Sequence, residues 1–186
     1  MSADKKNLRA MRFAAIDALS AEYIASSDAG ILENLVSLPE FVRARTIFTY
    51  YSIGREPDTH RLIERALRLG KRVALPVSLP RGVMKAVECR DVTALVPGRN
   101  NIPEPADTGP ETAREELDFI VVPAVSYSRA GYRLGYGGGY YDRFLAGGAV
   151  FTAGLAREEL LLDNVPVEAH DASVSCLVTE TCVRRF

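Results

Sequence analysis

A glycine-rich stretch that lies between two arginines has the residue types best suited to chemistry in this sequence. It reads Arg133-Leu134-Gly135-Tyr136-Gly137-Gly138-Gly139-Tyr140-Tyr141-Asp142-Arg143. Because glycine has no Cβ atom, the backbone of residues 135–139 can adopt positive φ angles, and its N–H groups can approach an anion closely. Arg133 and Arg143 add fixed positive charge and forked donors on either side. The stretch predicts a phosphate site, with a flexible surface loop as the alternative.

The two best-known phosphate-binding loops do not fit this stretch. A P-loop ends in Gly-Lys-Ser/Thr, whereas these glycines run into Tyr140-Tyr141. The dinucleotide pattern GxGxxG requires a third glycine at the position of Tyr140. A helix is predicted to begin just after the glycines, so its N-terminal dipole would favour an anion at the same place. The pattern therefore indicates a phosphate site outside the P-loop NTPases and the Rossmann dehydrogenases.

The elements that would position this stretch alternate between strands and helices. Strands are predicted at residues 46–51, 73–75, 84–89, 119–122, 150–155 and 175–179, and helices at residues 4–19, 20–38, 59–69 and 140–145. The second strand is expected to stop at Pro76, and the proline- and glycine-rich residues 97–112 are expected to form a long loop. The continuous apolar run at residues 119–122 is typical of a strand that is covered on both faces. The alternation predicts an α/β fold with a mostly parallel sheet.

Length and composition predict one globular domain over residues 1–186. The chain has 186 residues, of which 47% are apolar and 25% charged, so disorder is not expected. Its 23 basic and 24 acidic residues give a net charge of −1. This balance argues against a general DNA or RNA coat but allows a local basic pocket. With this charge and no hydrophobic tail, a monomer or weak homodimer is expected.

The cysteines and histidines argue against a structural zinc site. Cys89, Cys176 and Cys182 form no CxxC pair, and the sequence has only two histidines. Such cysteines fit reduced thiols in a cytoplasmic protein. The longest apolar run, around residues 119–125, is far shorter than the ~20 residues of a membrane helix, so no membrane partner is expected.

Five motifs occur in a characteristic order along the chain. They are Lys5-Lys6-Asn7-Leu8-Arg9, Glu56-Pro57-Asp58-Thr59, Ile102-Pro103-Glu104-Pro105, Pro123 with the stretch at residues 131–142, and His170-Asp171. The ordered set spans nearly the whole chain and is specific. By these motifs the sequence resembles the 5-formyltetrahydrofolate cyclo-ligase family, also called methenyltetrahydrofolate synthetases.

The resemblance implies an ATP- and Mg²⁺-dependent conversion of 5-formyltetrahydrofolate to 5,10-methenyltetrahydrofolate, with release of ADP and phosphate. It implies that the partners are these small molecules, that ATP is a co-substrate and that Mg²⁺ is the cofactor. It also implies a three-layer α/β sandwich with N-terminal helices and a Rossmann-like layout, as in the NagB/RpiA/CoA-transferase-like folds.

The resemblance further implies roles for individual residues. ATP would be bound by Lys5, Arg9, Arg133, Leu134, Gly135, Tyr136, Gly137, Gly138, Gly139, Tyr140 and Tyr141, with Lys5 and Arg133 acting in catalysis. The metal would be held by Asp142 and Asp171, and the folate would be contacted by Tyr51, Glu56, Tyr136 and Tyr140. Without the resemblance, Lys5 and Arg9 are more typical of a solvated helix face, and the acids of helix starts and caps.

Two other functions remain open at this stage. Tyr127-Ser128 stands where the family usually has Phe-Asp, which leaves room for a paralogue that binds folate or nucleotide without turnover. A phosphosugar isomerase or transferase on a similar fold would use Glu56 as a base and the glycine stretch as a phosphate site. His60 has no serine or cysteine partner at a triad spacing, so it is interpreted as a helix-surface residue.

Overall fold

A computed structural model describes residues 3–106, 108–168 and 171–186. The helices are α1 (Ala3–Asp17), α2 (Ala21–Val36), α3 (Pro39–Arg43), α4 (His60–Arg68) and α5 (Tyr140–Leu145). The strands are β1 (Thr46–Phe48), β2 (Arg72–Ser78), β3 (Met84–Glu88), β4 (Val96–Pro97), β5 (Pro103–Glu104), β6 (Phe119–Val122), β7 (Ser126–Tyr127), β8 (Arg133–Leu134), β9 (Phe151–Leu155), β10 (Cys176–Val178) and β11 (Val183–Arg185). Within the described residues, no helix has the length and apolar character needed to span a membrane.

Seven strands form the central sheet in the order β11-β10-β9-β6-β1-β2-β3. The five inner strands run parallel, and β3 and β11 are antiparallel edges, so the prediction of a mostly parallel sheet is confirmed. From β1 the chain builds outward through β2 and β3, and then returns to β6 and builds the other half. The order in which strands are added to the sheet thus reverses between the parallel neighbours β1 and β6. Ligands of open α/β sheets bind at the carboxyl edge of such a switch point.

Helices cover both faces of this sheet because its strands alternate apolar side chains between two cores. Ile47 and Val121 point to one core, which α2, α3 and α4 close. Phe48 and Ile120 point to the other core, against which α5 packs through Phe144. Since strands buried on both faces need cover on both, the result is the predicted three-layer α/β sandwich.

Several predicted helix boundaries agree with the structure. The hydroxyl of Ser20, the first residue of the predicted range 20–38, accepts a hydrogen bond from Tyr23 N at 3.1 Å and caps α2. Gly70, with φ +74°, follows the C-terminus of α4 in the left-handed conformation that glycine tolerates best. The sequence predicts no helix directly after residue 38, yet Pro39 begins α3, because a proline at the first helical position loses no hydrogen bond.

The prediction that Pro76 stops the second strand is wrong, since β2 continues to Ser78. β1 pairs with β2 only as far as Ala74, so on that side Pro76 has no neighbour that needs its missing N–H. On the other side, β2 pairs with the antiparallel β3, where Pro76 lies opposite Ala86. β1 is also shorter than predicted and ends at Phe48, so Tyr51 lies in the loop that follows.

Candidate active site

A cleft of about 540 Å³ opens at the carboxyl edge of the sheet, at the switch point between β1 and β6. We call it the main cleft. Three segments surround it: the loop after β1, the β4–β5 hairpin and the glycine loop, which we define as residues 135–139. Its lining includes the predicted residues Tyr51, Glu56, Arg133, Gly135, Tyr136, Gly137, Gly138, Gly139, Tyr140, Tyr141 and Asp142.

The glycine loop has a defined backbone conformation. Gly137 has φ +97° and Gly139 has φ +66°, which other residues adopt only with strain. Arg143 Nη1 donates hydrogen bonds to the carbonyl oxygens of Gly138 and Gly82, each at 3.1 Å. A Cβ atom at Gly82 would lie 2.0 Å from that nitrogen, so the contact requires glycine. Arg143 therefore stabilises the conformation of the glycine loop. This structural role adds to the positive charge for which the residue was noted in the sequence.

Arg133 joins the two segments that carry the predicted metal ligands. Its side chain is only 10% exposed and forms an ion pair with Asp142. It also donates a hydrogen bond to the carbonyl oxygen of Ala172, next to Asp171, at 3.3 Å. Asp142 and the segment of Asp171 thus meet around one guanidinium. His170 of the same motif lies outside the described residues.

The two cations of α1 reach the same region. Lys5 Nζ lies 3.1 Å from Asp171 Oδ2 and 3.0 Å from Glu168 Oε1. Burial by itself lowers the pKa of Lys5, but the hydrogen bonds to these two carboxylates raise it overall. Arg9 Nε donates a hydrogen bond to the carbonyl oxygen of Gly135 at 2.7 Å. The helix face that carries both side chains is therefore directed at the glycine loop and at Asp171.

Glu56 lines the main cleft and contacts the glycine loop through Tyr136. The Tyr136 hydroxyl donates a hydrogen bond to Glu56 Oε1, and Ile53 N donates one to Glu56 Oε2 at 2.8 Å. Burial raises the pKa of Glu56 above the ordinary 4.5, against the opposing effect of these two hydrogen bonds. The carboxylate is thus partly desolvated and already aligned by the protein.

The remaining predicted residues have more mixed surroundings. Tyr51 stacks on His60 with ring centroids 4.1 Å apart, so His60 supports a cleft residue and does not only face solvent. The Tyr140 hydroxyl donates to Leu79 O at 3.3 Å. The buried Tyr141 hydroxyl has no hydrogen-bond partner within the described residues. Leu134 is buried in β8, so its side chain belongs to the core and only its backbone adjoins the site.

A second cavity of about 410 Å³ lies under α1 and shares Ile53, Glu56 and Tyr136 with the main cleft. Arg157, which lines this cavity, is fully buried and pairs with Asp28 at 2.6 Å. Arg157 could not be predicted as a cavity residue, because a single arginine after a strand carries no motif. Glu104 and Arg99 also line the main cleft without a predicted role, although Glu104 belongs to the Ile-Pro-Glu-Pro motif.

A glycine loop that meets cations and carboxylates at the switch point of a parallel sheet is typical of α/β proteins that bind phosphate-bearing small molecules. The pattern of the 5-formyltetrahydrofolate cyclo-ligase family matches residues 1–180, and the chain belongs to that family. The predicted family and the predicted class of enzyme, an ATP-dependent ligase, are thereby confirmed.

Relatives and solved structures agree with this family. A 5-formyltetrahydrofolate cyclo-ligase of Escherichia coli K12 is 34% identical over 155 residues, which cover 80% of this chain and 85% of that protein. The Aquifex aeolicus 5,10-methenyltetrahydrofolate synthetase has a TM-score of 0.85 and 33% identity, with 97% of this chain and 92% of that chain covered. A Mycoplasma pneumoniae synthetase, with a TM-score of 0.78 and 20% identity over 95% of this chain and 99% of that chain, shares the fold.

Proposed function

We propose that this chain uses ATP to convert 5-formyltetrahydrofolate to 5,10-methenyltetrahydrofolate, with release of ADP and phosphate. The observation that carries the proposal is that Arg9 contacts the glycine loop while Lys5 and Arg133 contact Asp171 and Asp142 beside it, next to a cleft that holds the aligned carboxylate of Glu56. This arrangement offers a triphosphate site and a site for a heterocycle with amide and amino donors side by side.

The reaction has two stages. The formyl oxygen attacks the γ-phosphorus of ATP, so that an imidate phosphate forms and ADP leaves. N10 then attacks the same carbon, the C–O bond breaks, and phosphate leaves with the former formyl oxygen as the ring closes and N10 loses its proton. Phosphorylation is needed because an amide-like oxygen is a poor leaving group.

Phosphoryl transfer depends on positioning and on neutralisation of charge, and the chain supplies groups for both. Arg133 and Lys5 are well placed to bind the transferring phosphate, and the N–H groups of the glycine loop suit the neighbouring oxygens. In the structure these cations pair with the carboxylates of Asp171 and Asp142. These pairs keep the long side chains near the position in which a triphosphate would replace the carboxylates.

The same two carboxylates fit Mg²⁺. This ion prefers oxygen ligands and retains several waters, so one or two carboxylates together with substrate phosphates suffice. The described residues contain no group of three or more His, Cys, Asp or Glu side chains that would form an all-protein metal site. Bound there, Mg²⁺ would neutralise charge on the transferring phosphate, while Asp142 and Asp171 would hold it.

The folate is proposed to bind at Glu56. An ionised carboxylate can accept hydrogen bonds from the ring amide and the amino group of the pterin at the same time. Tyr51, Tyr136 and Tyr140 line the same cleft and present flat surfaces for the heterocycle. The Tyr127-Ser128 departure from the family pattern does not touch this surface, since both residues are buried and neither lines the main cleft.

One assay tests the proposed function. Purified protein is mixed with Mg-ATP and 5-formyltetrahydrofolate, and the absorbance of methenyltetrahydrofolate is followed together with ADP. Product and ADP are expected to rise in equal amounts. Nucleotide binding without turnover would instead indicate the non-catalytic paralogue. Absence of product at every ATP concentration, together with isomerisation of a phosphosugar, would favour the second alternative.

Asp142→Asn is expected to lower the affinity of the enzyme for Mg²⁺. Loss of one charged ligand costs about 1.5–3 kcal/mol, so the Mg²⁺ concentration for half-maximal activity should rise about tenfold or more. The rise in melting temperature that Mg-ATP produces over ATP alone provides a readout without turnover. Asp163→Asn is the control, because Asp163 is 92% exposed and its ion-pair partner among the described residues is Arg129. An unchanged metal titration in Asp142→Asn would remove Asp142 from the metal site.

We also infer a cytoplasmic location, because Cys89, Cys176 and Cys182 are all free thiols, as suits a reducing compartment. The assembly is proposed to be a monomer or a weak homodimer. Sedimentation at several protein concentrations distinguishes these two states, and a stable higher oligomer would contradict both.

A further inference from the structure

The tip of the β4–β5 hairpin holds Arg99 in an unusual backbone setting. Asn100 has φ +55° and Asn101 has φ +61°, two consecutive left-handed residues that are not glycine. Asparagine tolerates this conformation better than most residues, but the conformation is still uncommon and is concentrated at functional sites. Gly98 N donates to Ile102 O at 2.9 Å and Ile102 N donates to Arg99 O at 3.2 Å, so the turn is closed.

A buried carboxylate anchors this hairpin to the sheet. Glu104 is 5% exposed, and its Oε2 accepts a hydrogen bond from Ser78 N, at the end of β2, at 3.2 Å. A Cβ atom at Gly98 would lie 2.3 Å from the Glu104 carboxyl carbon. A glycine at position 98 therefore lets the backbone pass close to this side chain. The position of Arg99 beside the main cleft is therefore built into the fold.

Arg99 is the exposed cation of this cleft. Within residues 3–106, 108–168 and 171–186, no hydrogen-bond acceptor or ion-pair partner contacts its side chain, whereas Arg133 on the same cleft is paired with Asp142. A guanidinium presents forked donors that match a carboxylate in a bidentate arrangement. The geometry and charge of the tip suit an anion that a ligand brings into the cleft.

The order of the strands separates Arg99 from α1. The β4–β5 hairpin is attached to β2 through Ser78, while α1 contacts the segment after β9, where Arg12 donates to Leu160 O at 2.9 Å. Glu56 follows β1, which lies between β2 and β6 in the sheet. A folate with its pterin at Glu56 and its formyl group near the glycine loop therefore has the β2 side of the cleft for its tail. Pro76, Met84 and Ile102 line this cleft and offer apolar contact for the benzoyl ring.

We propose that Arg99 binds the carboxylates of the glutamate tail of the folate and so determines specificity for substrates that carry this tail. The inference rests on the proposed function, because it takes the folate as the occupant of the main cleft. Arg99 would act in binding and not in the chemical step, since no reacting atom of the substrate lies at the tail.

The test compares two substrates and three proteins. 5-Formyltetrahydrofolate carries the glutamate, and 5-formyltetrahydropteroate lacks it. In the wild type, kcat/KM should favour the glutamate-bearing substrate, and Arg99→Gln should reduce that preference about tenfold. Arg99→Lys should reduce it less, because charge remains without the fork. Arg68→Gln, on α4 and 67% exposed, is the matched control and should keep the wild-type preference.

Ionic strength gives a second readout of the same contact. An exposed ion pair is screened by salt, so the wild-type preference for the glutamate-bearing substrate should fall as salt is added, and Arg99→Gln should lose this dependence. An unaltered preference in Arg99→Gln would overturn the proposal, as would an effect confined to the KM for ATP. Absence of turnover in the wild type would refute the proposed function instead. In that case, calorimetric titration of the wild type and Arg99→Gln with the two ligands still tests Arg99. If Arg99→Gln loses the same affinity for both ligands, Arg99 does not recognise the glutamate tail.

Discussion

Arg133→Ala is expected to lower kcat by about 10²–10³-fold while the protein keeps its fold, as removal of a preorganised charge-stabilising donor commonly does. The guanidinium contacts Asp142 and the carbonyl oxygen of Ala172, so its loss removes positive charge from the proposed phosphate site and leaves the carboxylate of Asp142 uncompensated. The fold should persist, because β8 pairs with β7 through its backbone and Leu134 stays buried.

Steady-state kinetics, circular dichroism and melting temperature together check this result. Arg129→Ala is the matched control, because Arg129 precedes β8 on the same hairpin and pairs with Glu158 at the surface, where an ion pair contributes ~0–1 kcal/mol. Arg133→Lys should recover part of the activity, because it keeps the charge but not the forked geometry. Kinetics of Arg133→Ala close to those of the wild type would remove Arg133 from the catalytic site.

Glu56→Gln is expected to raise the KM for the folate about a hundredfold, since two charge-assisted hydrogen bonds together are worth about 3 kcal/mol or more. The amide cannot accept two donors from the pterin, and its NH₂ group would face them. The KM for ATP should change much less, because Glu56 contacts the Tyr136 hydroxyl and Ile53 N and none of the cations Lys5, Arg9 and Arg133. Glu64→Gln, on the exposed face of α4, is the matched control.

The pH dependence of the same KM gives the sign of the electrostatic effect. Burial raises the pKa of Glu56 above the ordinary 4.5, so its carboxylate should be protonated at a higher pH than that of an exposed glutamate. Protonation removes the hydrogen-bond acceptor. The KM for the folate should therefore rise with falling pH in the wild type, and Glu56→Gln should lack this limb. If the KM of Glu56→Gln for the folate rises with the same midpoint pH, the titrating group belongs to the substrate or is another residue of the protein.

Much of the fold could be predicted from local patterns. The apolar run of β6, the cap at Ser20 and the glycine after α4 are each determined by a few neighbouring residues. The prediction at Pro76 failed because a proline is tolerated or excluded according to what lies beside it in the sheet, and this neighbour is distant in sequence. The start of α3 at Pro39 was not predicted for a local reason. The same proline is compatible with the end of one helix and with the start of the next.

For the site, residue types and their spacing are enough to predict the glycine stretch, its flanking charges and the ordered motifs that indicate the family. Which of these groups meet depends on how distant segments pack together. Lys5 and Asp171 are 166 residues apart, and Tyr136 reaches Glu56 over 80 residues. The anchoring role of Arg143 and the exposed position of Arg99 also depend on turns contributed by other segments. Such contacts arise from packing and strand order, which bring together side chains that no local pattern relates.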